Sequence, residues 1–559
     1  MNIEYRFRFP KRYELRGFER ELGRMEVEAL ANGGAVPGNQ EIVLGSADRA
    51  DHALLDRLTF FEEIEASGDD GHWSAAPYQV LVERTARLKS ICQETRDIDF
   101  LARQLESVRT ERREHTYLTH GYHQYKGKFY PQLAKSLMNY AGIQPGDVVL
   151  DPFCGSGTTL VECFLNGVNA VGVDLHPLAA FIANVKVESL EVSPPQLEEG
   201  LTRLASAVGD RFGEVGLWDE GLETLSASGE NEPFDSSRLA YVDVSNREYL
   251  ERWFEPAALA KLGILVEECN RVSDRRVRRL ALLTLSNLVR WYSLQEPGQL
   301  RVRRRKTAPR ADDVLARFVR GVRKNASAIY LFHALRRHRE WTRPDVTAHV
   351  GDVRRLDRVP SEYLQKDGQV DGVITSPPYA TALPYVDTDR LSLFLLGLLQ
   401  VKERRGLEQR MIGNREIREL ERRRLEEEFL SGYDQCPLPK SVKGSIREIL
   451  ELNRSGNVGF RRRNKASLLY RYFMDMRSSF IEIGRVLKPG GICAVIIGNS
   501  RTKAGGKLVE IATDDFLIDI AESLNFELVK RLPMTDQAAY MVHSRQGIRT
   551  ETIFALRKP

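Results

Sequence analysis

Val148-Val149-Leu150-Asp151-Pro152-Phe153-Cys154-Gly155-Ser156-Gly157-Thr158 runs from an apolar strand into a glycine turn. Thr159 to Leu165 then reads as a helix and Ala170-Val171-Gly172-Val173 as a second strand. This order, strand, turn, helix, strand, opens a doubly wound α/β sheet. Glycines at 155 and 157 let backbone amides come close to a nucleotide or nucleoside. Leu160 stands where the dinucleotide fingerprint has its third glycine, which argues against a nicotinamide cofactor. Asp174, just past the second strand, is placed to accept from two ribose hydroxyls, although taken alone it is equally a turn carboxylate before His176-Pro177.

Working outward, apolar runs at Val370 to Thr375, Ile492 to Ile497, Phe526 to Lys530 and Thr552 to Leu556 fit further strands of the same sheet. The mostly helical stretch of roughly 188–345 is too long for a loop and is expected to be an inserted domain. At the other end, Ile3, Tyr5, Phe7 and Phe9 alternate with polar residues, as in a half-buried strand. Phe18, Leu22, Met25 and Ala29 follow at helical spacing, Gly33-Gly34 stops the pattern, and Ile42-Val43-Leu44 suggests another strand. The expected organisation is therefore a small α/β module over 1–75, a helical connector over 76–113, a catalytic domain over 114–187 and 346–559, and the insertion over 188–345.

A chain of 559 residues exceeds one ordinary core, in keeping with that division. No apolar run is long enough to span a bilayer and the N-terminus has no signal region, so a cytoplasmic location without a membrane partner is expected. Six cysteines with no CxxC spacing read as free, mostly buried thiols, so neither a disulfide framework nor a metal site is expected. The net charge of +4 is too small to mark a polyanion binder by itself. Two local basic runs, Arg301 to Lys306 and Arg461 to Lys465, are candidates for that role or simply solvated surface. Glu421 to Glu428 mixes both signs and reads as a wet helix face.

A second segment carries chemistry. Val373-Ile374-Thr375 runs into Ser376-Pro377-Pro378-Tyr379 at the carboxyl end of a strand, where open α/β sheets place ligands. The prolines remove two amide donors and fix the backbone, leaving carbonyls free to accept. An exocyclic amine of a base is a poor nucleophile, because its lone pair is delocalised into the ring. Hydrogen bonds from its protons to the Ser376 hydroxyl oxygen and the Pro377 carbonyl favour a more tetrahedral nitrogen, and Tyr379 can stack on an extruded base. By itself the tetrapeptide is also compatible with a tight turn.

DPFCGSGTTLVE (Asp151 to Glu162) and GVDLHPLA (Gly172 to Ala179), taken with SPPY, resemble the class I S-adenosylmethionine-dependent DNA amino-methyltransferases, the cytosine-N4 and adenine-N6 branch. The resemblance implies a Rossmann-like doubly wound sheet with S-adenosylmethionine as methyl donor and no metal. It implies that Asp151, Pro152, Phe153, Gly155, Ser156, Gly157 and Thr158 surround the methionine part, while Asp174 and Leu175 hold the ribose. HGYHQYKGKFYPQL (His120 to Leu133), with Lys128 and Phe129, looks like the motif that closes over the methionine end. Gly351-Asp352-Val353 is similar to the motif whose acid contacts adenine, here Asp352. Ser376, Pro377, Pro378 and Tyr379 take the catalytic positions, and Ser rather than Asp at 376 tips the target toward cytosine N4, with double-stranded DNA as the favoured partner. The likeness extends through SPPYATALPYVDTDRLSLFLLG, LKPGGICAVIIGNS, ETIFALRK and RWFEPAALAKLGIL, covering roughly 115–559.

Other readings compete. Carbon-5 cytosine chemistry needs a cysteine presented as Pro-Cys, whereas this chain has Gln435-Cys436-Pro437, so that reaction is rejected. A tRNA or rRNA guanine-N2 methyltransferase shares DPFCGSGTTL and often begins with a small RNA-binding module, so RNA stays open as a partner. Adenine N6 and, more remotely, a protein glutamine are further targets. Either the insertion or the segment over about 400–465 can read the target sequence, and a partner nuclease is left open.

Overall fold

The computed structural model describes residues 3–31, 36–38, 40–46, 56–68, 71–108, 114–125, 127–212, 239, 241–296, 303–380, 385–454, 458–534 and 551–559. The expected Gly33-Gly34 stop, Arg301 and Val302 of the first basic run, and Thr381 to Pro384 after the SPPY turn lie outside the described residues.

Five strands form an N-terminal sheet: β1 (Ile3–Arg8), β2 (Val36–Pro37), β3 (Glu41–Ser46), β4 (Glu63–Gly68) and β5 (Gly71–Ala75), in the order β2-β3-β1-β4-β5 and antiparallel throughout. Tyr5 and Phe7 point to one face and are fully buried, in keeping with the two-residue period of a strand. They pack with Phe18, Leu22 and Met25 of the helix Gly17–Ala31, which lies against the helix Pro131–Tyr140. Between these helices Glu26 is wholly buried, accepting from Asn139 Nδ2 (3.2 Å) and the Thr59 amide (3.0 Å). The other face of the sheet carries Arg6 and Arg8, both paired to carboxylates: Arg6 to Glu4 and Glu41, Arg8 to Glu41, Glu63 and Glu65.

The main sheet has seven strands: β6 (Val148–Asp151), β7 (Asn169–Asp174), β8 (Val346–Val350), β9 (Val370–Thr375), β10 (Leu487–Gly498), β13 (Glu527–Met534) and β14 (Glu551–Arg557). A separate hairpin, β11 (Ser500–Ala504) with β12 (Lys507–Ile511), follows β10. The order is β13-β14-β10-β9-β6-β7-β8; β6 to β10 run parallel, and β14 is antiparallel to both of its neighbours. The chain moves outward from β6 through β7 to β8 and then returns to lay β9 on the other side of β6. That reversal makes the carboxyl ends of β6 and β9 the switch point where such sheets bind ligands.

Both faces of the sheet are covered, which is why its central strands are apolar at almost every position. Val149, Ala170, Ile374, Ala494 and Ile496 join one core, while Leu150, Val171, Val173, Val373 and Val495 join the other. The first core continues without interruption into the helices of the insertion, including Arg275–Tyr292 and Val314–Leu335. These helices therefore pack as an outer layer on the seven-stranded sheet and not around a separate core. Helix Arg275–Tyr292 is tied to it by the Arg279–Glu188 ion pair at 2.6 Å, and Val314–Leu335 by the Tyr122 hydroxyl donating to the Asn325 carbonyl at 2.8 Å. Among the described residues no helix is long and apolar enough to cross a membrane.

Candidate active site

The glycine turn after β6 is built by close approach. Gly157 has φ +77°, and a Cβ there would lie 2.6 Å from Ala183 Cβ, so any other residue would collide with the helix Pro177–Glu188. Gly155 has φ +48°, and a Cβ there would sit 3.3 Å from the Tyr125 ring. Lys186, fully buried, donates to the Ser156 carbonyl (2.7 Å) and hydroxyl (3.3 Å), holding the turn from beneath. Burial drives that ammonium well below its ordinary pKa.

Asp151 lies under this turn. Its two carboxylate oxygens accept from Thr375 Oγ1 and Thr159 Oγ1, each at 2.7 Å, so it joins β6, β9 and the helix Thr158–Leu165. Asp174 at the end of β7 accepts from the Gly155 amide (2.9 Å) and the His176 amide (2.8 Å), leaving lone pairs for further donors. Burial raises both carboxyls to about 6.

An open cleft lies above these residues. Pro152, Phe153, Gly155, Asp174, Leu175, Ser376 and Pro378 line it. It thus brings together the turn after β6, the end of β7 and the turn after β9. Pro377 is buried, and the Tyr379 hydroxyl donates to Glu551 Oε1 at 2.6 Å instead of facing the cleft.

Several expected residues lie elsewhere. Asp151, Ser156, Gly157 and Thr158 are buried below the cleft and support its floor. Lys128 is exposed at the surface and donates to the His120 carbonyl at 3.0 Å, and Phe129 packs against the core. His120 is itself fixed by Glu162, whose Oε1 lies 2.8 Å from His120 Nε2 and accepts from the Tyr117 hydroxyl at 2.7 Å. Asp352 is held by Arg354, its Oδ2 lying 2.6 Å from the guanidinium, while Arg354 also reaches Asp475 Oδ1 (2.7 Å) and the Arg410 carbonyl (2.8 Å). Its neighbours Gly351 and Val353 line the cleft in its place, because the Arg354 pairing turns the acid away.

Tyr125, Gly127, Met411 and Ile412 also line the cleft. Tyr125 and Gly127 fall within the segment flagged at His120 to Leu133. Met411 and Ile412 precede Gly413, whose backbone (φ +77°) comes so close to the Pro378 side chain and Tyr379 carbonyl that a Cβ would meet them at 3.2 and 3.1 Å. The sequence carried no signal for this cover, since it depends on a segment more than thirty residues downstream folding back.

Parts of the chain are similar to known proteins. The family described as RMKL-like methyltransferase domain matches residues 121–194, the stretch that builds the glycine turn and the end of β7. The Type II methyltransferase M.MjaII of Methanocaldococcus jannaschii is 24% identical over 49% of this chain and 61% of its own length, and M.MvaI of Kocuria varians is 24% identical over 73% and 82%. The chain therefore matches less than two thirds of M.MjaII and about four fifths of M.MvaI. A tRNA (guanine(10)-N2)-dimethyltransferase of Methanothermobacter thermautotrophicus is 47% identical, over 9% of this chain and 15% of its own. The resemblance to the class I DNA amino-methyltransferases read from the sequence is borne out by these matches. The solved structure of TrmN from Thermus thermophilus aligns over the whole of both chains at 12% identity with a TM-score of 0.29.

Proposed function

We propose that this chain is a methyltransferase that uses S-adenosylmethionine to methylate the exocyclic amine of a base flipped out of duplex DNA, with cytosine N4 as the target. One observation carries the reading: Ser376 and Pro378 line the same cleft as Gly155 and Asp174, at the switch point of the sheet. The likeness to Type II methyltransferases supports a place in restriction and modification, beside a nuclease.

The cleft fits the methyl donor on two counts. Its floor at Gly155 is a backbone cradle that a side chain would fill, and Asp174 offers carboxylate lone pairs suited to a ribose diol. In this reading Phe153, Gly155 and Tyr125 surround the methionine part, Asp174 and Leu175 the ribose, and Gly351, Val353, Met411 and Ile412 the adenine. S-adenosylmethionine, when bound, supplies an electrophilic methyl group on its sulfonium. Ser376 Oγ and the Pro377 carbonyl accept from the two amino hydrogens of the base, which draws the nitrogen out of conjugation and aims its lone pair across the cleft. Positioning of this kind accounts for most of the rate in such displacements.

Incubation with tritiated S-adenosylmethionine, offered unmethylated genomic DNA and unmodified tRNA separately, followed by nucleoside identification, tests the proposal. Labelled N4-methylcytosine from DNA supports it; N6-methyladenine keeps the enzyme class and changes the base. Labelled guanosine from tRNA replaces the substrate, a second reading favoured by the local 47% identity to the tRNA dimethyltransferase. Against that second reading, the arginines on the outer face of the N-terminal sheet are already neutralised by its glutamates.

A further inference from the structure

We infer that the β11–β12 hairpin and the one-turn helix Phe460–Arg463 form one surface that grips the phosphate backbone of duplex DNA beside the flipped base. This rests on the DNA reading above and adds the surface by which the substrate is held.

The two segments are forty residues apart in sequence and are joined by one buried side chain. Asn453 donates through Nδ2 to the Arg462 carbonyl at 2.9 Å and accepts through Oδ1 from the Gly505 amide at 3.2 Å. Gly505, with φ +54°, comes so near the helix Lys440–Arg454 that a Cβ would lie 2.6 Å from the Leu452 carbonyl oxygen. The hairpin tip is therefore docked on that helix, and its place relative to the arginine turn is set by the fold.

The joined surface is strongly cationic. Arg461, Arg462, Arg463, Arg501, Lys503 and Lys507 are all exposed. Among the described residues the only carboxylate within ion-pair distance of any of them is Glu510, 3.9 Å from Arg501. Arg6 and Arg8 of the N-terminal sheet, by contrast, both have carboxylate partners. Gathering unneutralised cations costs electrostatic energy in the free protein, which a polyanion would offset by releasing its counterions. Phe460 (54% exposed) and Leu508 (62% exposed) lie within the same surface, where an apolar side chain can rest on sugars or base edges.

Position points the same way. The hairpin begins at Ser500, directly after β10, whose Gly498 is paired with Glu551, the acceptor of the Tyr379 hydroxyl. Its five-residue strands reach roughly 15 Å from that base at about 3.3 Å per residue.

The test measures binding of the full-length protein to a fluorescent mixed-sequence duplex across a salt series. The variants are Arg461→Ala/Arg462→Ala/Arg463→Ala, Arg501→Ala/Lys503→Ala/Lys507→Ala, and the charge-retaining Arg461→Lys/Arg462→Lys/Arg463→Lys. Each alanine triple is expected to weaken binding at least about tenfold and to lower the slope of log affinity against log salt by about three, while the lysine triple keeps the slope. Binding of S-adenosylmethionine, measured by calorimetry, is expected to be unchanged in all three, which confirms that they are folded. Alanine triples that bind duplex with wild-type affinity and slope, from a protein that methylates DNA, overturn this surface and leave the function standing. A wild-type protein that methylates tRNA and not duplex overturns both, and does so without any variant.

Discussion

The Tyr379 hydroxyl donates to Glu551 Oε1 at 2.6 Å across 172 residues of chain. This bond ties the turn after β9, which carries Ser376 and Pro377, to the first residue of β14. Glu551 is half-buried, and desolvation raises its carboxyl above the ordinary range. Tyr379→Phe keeps the ring and removes the donor, leaving a half-buried acceptor unpaired, so it is expected to cost about 1 kcal/mol of stability in denaturant unfolding. Methyl transfer is expected to persist in Tyr379→Phe and to fall at least about tenfold in Tyr379→Ala, because stacking on a base needs only the ring. Equal loss of kcat in both variants would show that the hydroxyl, and not the ring, is what matters.

Gly157→Ala combines two penalties. The left-handed backbone at φ +77° costs a side chain roughly 1–2 kcal/mol, and the 2.6 Å approach to Ala183 adds an overpacking cost of about 1–3 kcal/mol. A fall of roughly 2–5 kcal/mol in urea unfolding is expected from the two together, with cofactor binding abolished. Unchanged stability would mean that the turn and the helix Pro177–Glu188 are not packed as described.

The carboxyls of Asp174 and Asp151 are raised to about 6, chiefly by burial, from an ordinary value of 3.8. Between those values the folded chain holds protons that the unfolded chain has lost, so these groups lower stability as pH rises from about 4 to about 6. For Asp174 the functional consequence is opposite in sign. Ionised it accepts from the ribose hydroxyls with all its lone pairs, and protonated it gives some up. Calorimetric affinity for S-adenosylmethionine is expected to fall as pH drops through about 6, and Asp174→Asn is expected to bind weakly with no such dependence. A pH-independent affinity in the wild type would remove Asp174 from the cofactor site.

Asp352→Asn tests whether the acid contacts adenine or anchors Arg354. In the structure its oxygens serve Arg354, which in turn holds the Arg410 carbonyl next to Met411 and Ile412. The variant is expected to shift cofactor affinity less than about tenfold while lowering stability by about 1–3 kcal/mol, as for a partly buried charge pair that loses one member. A loss of affinity well beyond tenfold with unchanged stability would restore the direct adenine contact.

Much of the site was legible because its rules are local. The glycine turn at 155–157 and the double proline at 377–378 each restrict the backbone within a few residues, so their place at strand ends followed from the apolar runs before them. The N-terminal sheet was legible only in part: β4, with Glu63, Glu65 and Ser67 among its six residues, lacks the apolar density of a strand, and only Ile64 and Ala66 face its core. For the β11–β12 hairpin the local signal is the Gly505-Gly506 pair, which suits the two-residue turn between Ala504 and Lys507.

From residue order alone came the doubly wound sheet and the turns that line the cleft, because hydrophobic period and glycine or proline geometry act over a few neighbours. Which face each charged group serves was settled by packing between distant segments. Asp352 pairs with Arg354 against Asp475, Asp151 lies beneath the cleft between two threonine hydroxyls, Met411 and Ile412 fold over Pro378, and Asn453 draws two basic segments into one surface. Such pairings depend on which elements become neighbours when both faces of the sheet are buried, and no short-range pattern encodes that choice.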